Sequence, residues 1–151
     1  MNAQKIVQLL TERQQTLAAA ESLTGGLISD RIVSVPGASK VFLGGVVSYD
    51  EGIKEKVLRV SAETLKRHTA VSGETAREMA SGVRKLMNAD YALSATGYAG
   101  PDGEDVGLVY IGFASKDRCE SRECRFSGDR GEIRRQSAEA ALEILKEYLI
   151  L

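Results

Sequence analysis

The chain has 151 residues, 43% of them apolar and 27% charged, with 20 Lys and Arg against 21 Asp and Glu. That length suits a single domain spanning residues 1–151, able to bury roughly 70% of its unfolded surface without a disulfide or metal staple. The composition excludes disordered and fibrous chains, and a net charge of −1 argues against a general binder of nucleic acid or anionic membrane.

In chain order, Ile6, Val7, Leu9 and Leu10 recur at helical spacing after Asn2, a good helix start. Thr16 to Ala20 is a short apolar run of small residues, read as a buried strand with something close above it. Thr24-Gly25-Gly26 opens a second helix through Val33, closed by Val35-Pro36-Gly37. Val41 to Tyr49 is a strand with a Gly pair inside, where backbone approaches closely. Ile53, Val57 and Leu58 mark a short helix. Ser61 and Ser72 are N-caps of two more, the second running to about Asn88. Asp90 to Thr96 is a strand ending in the loop GYAGPDGED. Val106 to Ser115 and Cys119 to Phe126 are paired strands, and a last helix from about Gly131 to Leu151 carries Ala138, Ala141, Leu142, Leu145 and Leu149 on one stripe. Helix and strand alternate first and a strand pair follows. The expected fold is a single three-layer α/β/α domain with a mixed central sheet.

The two cysteines, Cys119 and Cys124, are five apart in one strand and so face opposite ways, which argues against a disulfide. With no CxxC partner and no nearby His, a zinc site is not expected either. The N-terminal stretch carries charges through its apolar residues, unlike a signal peptide, and no apolar run reaches the length of a membrane span. The expectation is a cytoplasmic protein.

The sharpest local feature is Glu21-Ser22-Leu23-Thr24-Gly25-Gly26, where a strand gives way to a helix. A Ser in such a turn can hold its hydroxyl above the sheet edge, and the glycines let backbone N–H groups face a ligand oxygen. The bland alternative is an ordinary Ser/Thr cap. A nucleophilic Ser needs a base, and the one histidine, His68, follows Lys66-Arg67 at a helix end, where it complements the dipole. Lys54 is the better candidate. At about 100° per residue, Ile53, Val57 and Leu58 span an arc that contains Lys54, whereas Lys56 points away. A lysine drawn inward loses hydration and its pKa falls, unless it snorkels along the core edge. Ligands of open α/β sheets gather at the carboxyl ends of strands, which would bring Ser22, Tyr49 and Thr96 together. Ser127-Gly128-Asp129-Arg130 offers an arginine able to clamp a phosphate or carboxylate, or else a plain surface turn.

In combination these stretches resemble the CinA C-terminal domain family, also described as nicotinamide-nucleotide amidohydrolases. The carrying segments are AESLTGG (20–26), VPGASKVFLGGVVSYDEGIK (35–54), RHTAVS (67–72), ATGYAGPDG (95–103) and VGLVYIGFA (106–114). The resemblance covers essentially the whole chain. It implies a metal-free and cofactor-free hydrolysis of nicotinamide mononucleotide to nicotinate mononucleotide and ammonia, with Ser22 as nucleophile and Lys54 as general base. It implies further that Tyr49, Thr96 and Arg130 surround the substrate site and that the chain forms homo-oligomers; Thr24, Gly25, Gly26, Gly45 and Gly97 are further candidates for substrate contact. Leu23 stands where relatives often carry Cys. Backbone N–H groups near Gly25-Gly26 or near Gly44-Gly45 are the alternatives for holding an oxyanion. With only 21 residues before Ser22, the N-terminal domain that some relatives carry is not implied. A non-catalytic nucleotide-binding or interaction module is the competing reading.

Overall fold

The computed structural model describes residues 2–150. The elements run α1 (Asn2–Arg13), β1 (Leu17–Glu21), α2 (Leu27–Val33), a 3₁₀ turn (Ala38–Lys40), β2 (Phe42–Val47), α3 (Glu51–Lys56), α4 (Ala62–His68), α5 (Gly73–Met87), β3 (Tyr91–Gly97), β4 (Leu108–Ala114), β5 (Cys119–Arg125) and α6 (Arg130–Ile150). The strands form one sheet in the order β2-β1-β3-β4-β5. β2 and β3 flank β1 in parallel, while β4 and β5 add antiparallel. Helices α1, α2 and α6 cover one face and α5 the other. This is the expected three-layer domain with a mixed sheet.

Alternation along β1 divides the core. Leu17 and Ala19 enter the larger cluster under α1, α2 and α6, and Ala18 and Ala20 face α5 with Met79, Ala80 and Val83. Small side chains on the α5 face let that helix settle close to the sheet. At Gly112 a Cβ would stand 2.3 Å from the Ala76 carbonyl oxygen, and Ser94 Oγ donates to that same carbonyl at 2.6 Å. On α6 the expected stripe of Ala138, Ala141, Leu142, Leu145 and Leu149 is buried throughout.

Boundaries move where backbone conformation overrides the hydrophobic pattern. Gly25 (φ +58°) and Gly26 (φ +114°) are left-handed, so Thr24 to Gly26 form a turn and α2 begins only at Leu27. Gly107 (φ +96°) likewise holds β4 back to Leu108. The final helix starts one residue early, at Arg130, and its expected end at Leu151 lies outside the described residues. Cys119 Sγ lies against the Arg77 carbonyl of α5, and Cys124 packs on the cluster under α6. The two thiols are free and face opposite ways, as their odd spacing requires.

Candidate active site

Three parallel strands end side by side at one edge of the sheet. Glu21 pairs with Val47 on one side and Ala95 on the other, so the next residues, Ser48, Ser22 and Thr96, form a row across β2, β1 and β3. Ser22 takes up its place through its own N–H, which donates to the Ala95 carbonyl at 2.9 Å.

Lys54 reaches this row from α3. Asp50 starts that helix as its N-cap, accepting the Gly52 N–H, and the helix turns Lys54 inward until only 1% of it is exposed. Its Nζ lies 2.9 Å from Ser22 Oγ and donates to the carbonyls of Ser48 (2.6 Å) and Tyr49 (3.2 Å). Burial holds the lysine below its ordinary value of 10.5, with Glu51 and then Asp50 partly opposing the shift. A neutral amine has two N–H donors and one lone pair. The two carbonyls occupy the donors, which leaves the lone pair to accept the Ser22 hydroxyl proton. Snorkelling, the bland alternative for Lys54, does not describe this geometry.

The turn that carries Ser22 is fastened at both ends. Glu21 is fully buried and its carboxylate accepts from the N–H groups of Gly26 (3.2 Å), Ile28 (2.9 Å) and Ser29 (2.9 Å), and from Ser29 Oγ (2.7 Å). A charged cap of this kind satisfies the orphan donors of α2 and complements its dipole. From the other side, Arg134 of α6 donates through Nε to the Leu23 carbonyl (2.8 Å) and through Nη2 to that of Thr24 (3.1 Å). Neither contact was legible in the sequence. A carboxylate directly before an N–H-rich turn was the available signal for Glu21, whereas Arg134 lies more than a hundred residues from the carbonyls it holds.

The remaining expected residues divide into three groups. Tyr49 and Arg130 meet at the rim: Arg130 Nη2 donates to Tyr49 Oη at 3.2 Å and Nη1 to the Gly100 carbonyl at 2.5 Å. Thr96 is buried beside Ser22, its hydroxyl donating to the Ala70 carbonyl at 2.7 Å. Thr24 is fully buried with an unpartnered hydroxyl, a condition it shares with Ser48. The glycines are largely committed to the fold. The Gly25 N–H donates to the Ser22 carbonyl and the Gly26 N–H to Glu21. Gly45 lies on the opposite face of the sheet from Ser22, where a Cβ would stand 2.5 Å from Ser29 Oγ. Gly97 gives way to β4, with a Cβ only 2.7 Å from the Leu108 carbonyl oxygen. His68 stands 3.4 Å from Glu74 at the end of α4, remote from the serine in its contacts.

Among the described residues, no helix is long and apolar enough to cross a membrane. A family model described as the CinA C-terminal domain matches residues 1–149. A CinA-like protein of Thermotoga maritima is 47% identical over 148 residues, covering 95% of this chain and 36% of the relative. The chain thus spans about a third of the length of the curated relatives it matches. Among solved structures, a competence-damaged protein (CinA) superfamily member from Klebsiella pneumoniae superposes with a TM-score of 0.95 at 33% identity, covering 99% of this chain and 96% of that one. The competence/damage inducible protein of Agrobacterium tumefaciens does so with a TM-score of 0.94 at 35% identity, over 99% and 94%. The chain belongs to the CinA C-terminal domain family.

Proposed function

We propose that the chain is a nicotinamide mononucleotide deamidase working through a Ser22–Lys54 pair. The observation that carries the reading is the buried lysine, its pKa depressed, 2.9 Å from a serine hydroxyl at the sheet edge. Structural lysines seldom occupy such a place, and a desolvated amine is the form of lysine that accepts protons near neutral pH.

In the proposed reaction Ser22 Oγ attacks the carboxamide carbon and its proton passes to Lys54 Nζ. The tetrahedral intermediate collapses as the C–N bond breaks, and Lys54 gives the proton to the departing nitrogen, which leaves as ammonia. A water molecule then attacks the acyl ester, losing its proton to Lys54. The ester C–O bond breaks, and Ser22 recovers its proton as nicotinate mononucleotide departs. Arg130 and Tyr49, joined at the rim, suit the phosphate and ribose end of the substrate.

The test is ammonia release from nicotinamide mononucleotide by the purified protein and two variants. Lys54→Ala should lose about 10²–10⁴ in rate, the usual contribution of a general base, while Lys56→Ala stays close to wild type. Each variant removes one lysine side chain from the same short helix. Equal activities would therefore rule out lysine as the base, and no ammonia from wild type would favour a binding module.

A further inference from the structure

We infer that the oxyanion of the tetrahedral intermediate is received by the backbone N–H of Leu23, seconded by that of Thr24, and that Arg134 is the positioning residue that aims them. The inference rests on the Ser22–Lys54 reading above. It differs from both alternatives the sequence suggested. The Gly25 and Gly26 N–H groups are spent on the Ser22 carbonyl and on Glu21, and Gly44 and Gly45 sit inside β2 opposite Ala18 and Ala19, back from the strand ends where Ser22 stands.

The argument is an accounting of the turn's polar groups. Three successive carbonyls are engaged: Ser22 by the Gly25 N–H, Leu23 by Arg134 Nε, and Thr24 by Arg134 Nη2 and the Leu27 N–H. Of its N–H groups, those of Leu23 and Thr24 donate to no protein acceptor among the described residues. Both residues are nearly or fully buried, at 4% and 0% exposure. Buried N–H groups without partners are rare, and here two successive ones follow directly after the candidate nucleophile. Thr24 adds a buried hydroxyl that is likewise unpartnered. An N-capping serine would normally satisfy such donors with its own oxygen, but Ser22 Oγ is turned to Lys54 instead.

The pinned carbonyls fix where these donors point. A trans peptide is planar, with its C=O and N–H opposed. Holding the Leu23 carbonyl therefore sets the Thr24 N–H directly, and holding the Thr24 carbonyl fixes the peptide whose Gly25 N–H grips the Ser22 carbonyl and so sets the Leu23 N–H. Arg134 also polarises the peptide it grips, which strengthens the opposite N–H as a donor. Donors fixed before reaction are the form in which an oxyanion hole is most effective. Lysine at position 134 would supply a point charge but not the planar fork that spans two carbonyls.

Two readouts on wild type, Arg134→Lys and Arg134→Ala test the inference: steady-state ammonia release from nicotinamide mononucleotide, and the rate at which a fluorophosphonate probe labels Ser22. Labelling builds a tetrahedral phosphoryl centre on the serine and needs no nucleotide. Arg134→Ala should lower kcat and the labelling rate by about 10²–10³ with KM within about threefold, and Arg134→Lys should fall between it and wild type. A loss confined to KM would make Arg134 a substrate contact and overturn the inference, as would labelling unchanged in both variants. If Arg134→Ala unfolds, Arg134→Lys carries the test, and a folded lysine variant with wild-type kcat and labelling also overturns it. Wild type that labels in an Arg134-dependent way yet releases no ammonia would sink the substrate assignment and keep the oxyanion site. Wild type that hydrolyses the nucleotide with no dependence on Arg134 would do the reverse.

Discussion

Lys54 is surrounded by oxygen but by no carboxylate in contact: its three neighbours are two backbone carbonyls and a hydroxyl. A fold seeking stability would pair a buried ammonium with an acid or replace it with an apolar side chain. Carbonyls and a hydroxyl instead tolerate the neutral amine and orient its lone pair. Arg130 has a different position, exposed at the rim with two of its five donors committed to Gly100 and Tyr49. Its free donors suit a phosphate. Arg130→Ala should lower kcat/KM on nicotinamide mononucleotide by about 10- to 150-fold, the loss expected for a charge-assisted hydrogen bond of about 1.5–3 kcal/mol. Nicotinamide riboside, which lacks the phosphate, should already be a poor substrate and lose little more. Equal losses on both substrates would show that Arg130 acts by holding Tyr49 or the Gly100 loop.

At the scale of elements, the contact between α5 and the segment that follows Lys54 decides how firmly the lysine is placed. At Gly82 a Cβ would stand 1.9 Å from the Leu58 carbonyl oxygen, and the obstructing atoms are backbone. Gly82→Ala gains about 1 kcal/mol of helix propensity, but an overlap this deep forces the chain apart and costs about 1–3 kcal/mol or more. The clash should win. The melting temperature should fall, and activity should fall with it because Leu58 lies only four residues beyond Lys54. A variant as stable as wild type would mean that α5 is free to slide. Much of this layering was legible in the sequence. The alanine run of β1, the α6 stripe and the inward arc of α3 are local periodicities, and each speaks of a buried face. What was not legible is non-local or conformational. Two left-handed glycines delay α2, and the Glu21 cap depends on that delay. Arg134 meets Leu23 and Thr24 only because α6 packs beside α2. The Glu21 cap is close in sequence but needs the left-handed glycines, and no pattern within a window of twenty residues encodes the Arg134 contact.

On the scale of the whole molecule, the proposed base would tie activity to global stability through one proton. Folding holds the Lys54 pKa below 10.5, chiefly by burial. Between the depressed folded value and the unfolded one, the unfolded chain therefore binds more protons than the native chain, and stability rises with pH. Below the folded pKa both states are protonated and the penalty is constant; above 10.5 it vanishes. Other groups titrate in the same alkaline window. Burial and Glu123 hold the Tyr110 proton above its ordinary 10.0, so that residue makes stability fall as pH rises through the same region. Burial raises the Cys119 and Cys124 thiols as well, and a single pH series on wild type would mix all these effects. The difference between wild type and Lys54→Met, measured by urea unfolding at steps from pH 7 to pH 10.5, cancels these other groups and isolates the lysine. Wild type should gain on the variant as pH rises, with a slope of at most about 1.4 kcal/mol per pH unit for one proton. The gain should begin where kcat/KM for ammonia release levels off on its alkaline side, since the same neutral amine governs both. A difference that stays flat across the range would mean that Lys54 titrates like an exposed lysine, and the base assigned to it would fall with that result.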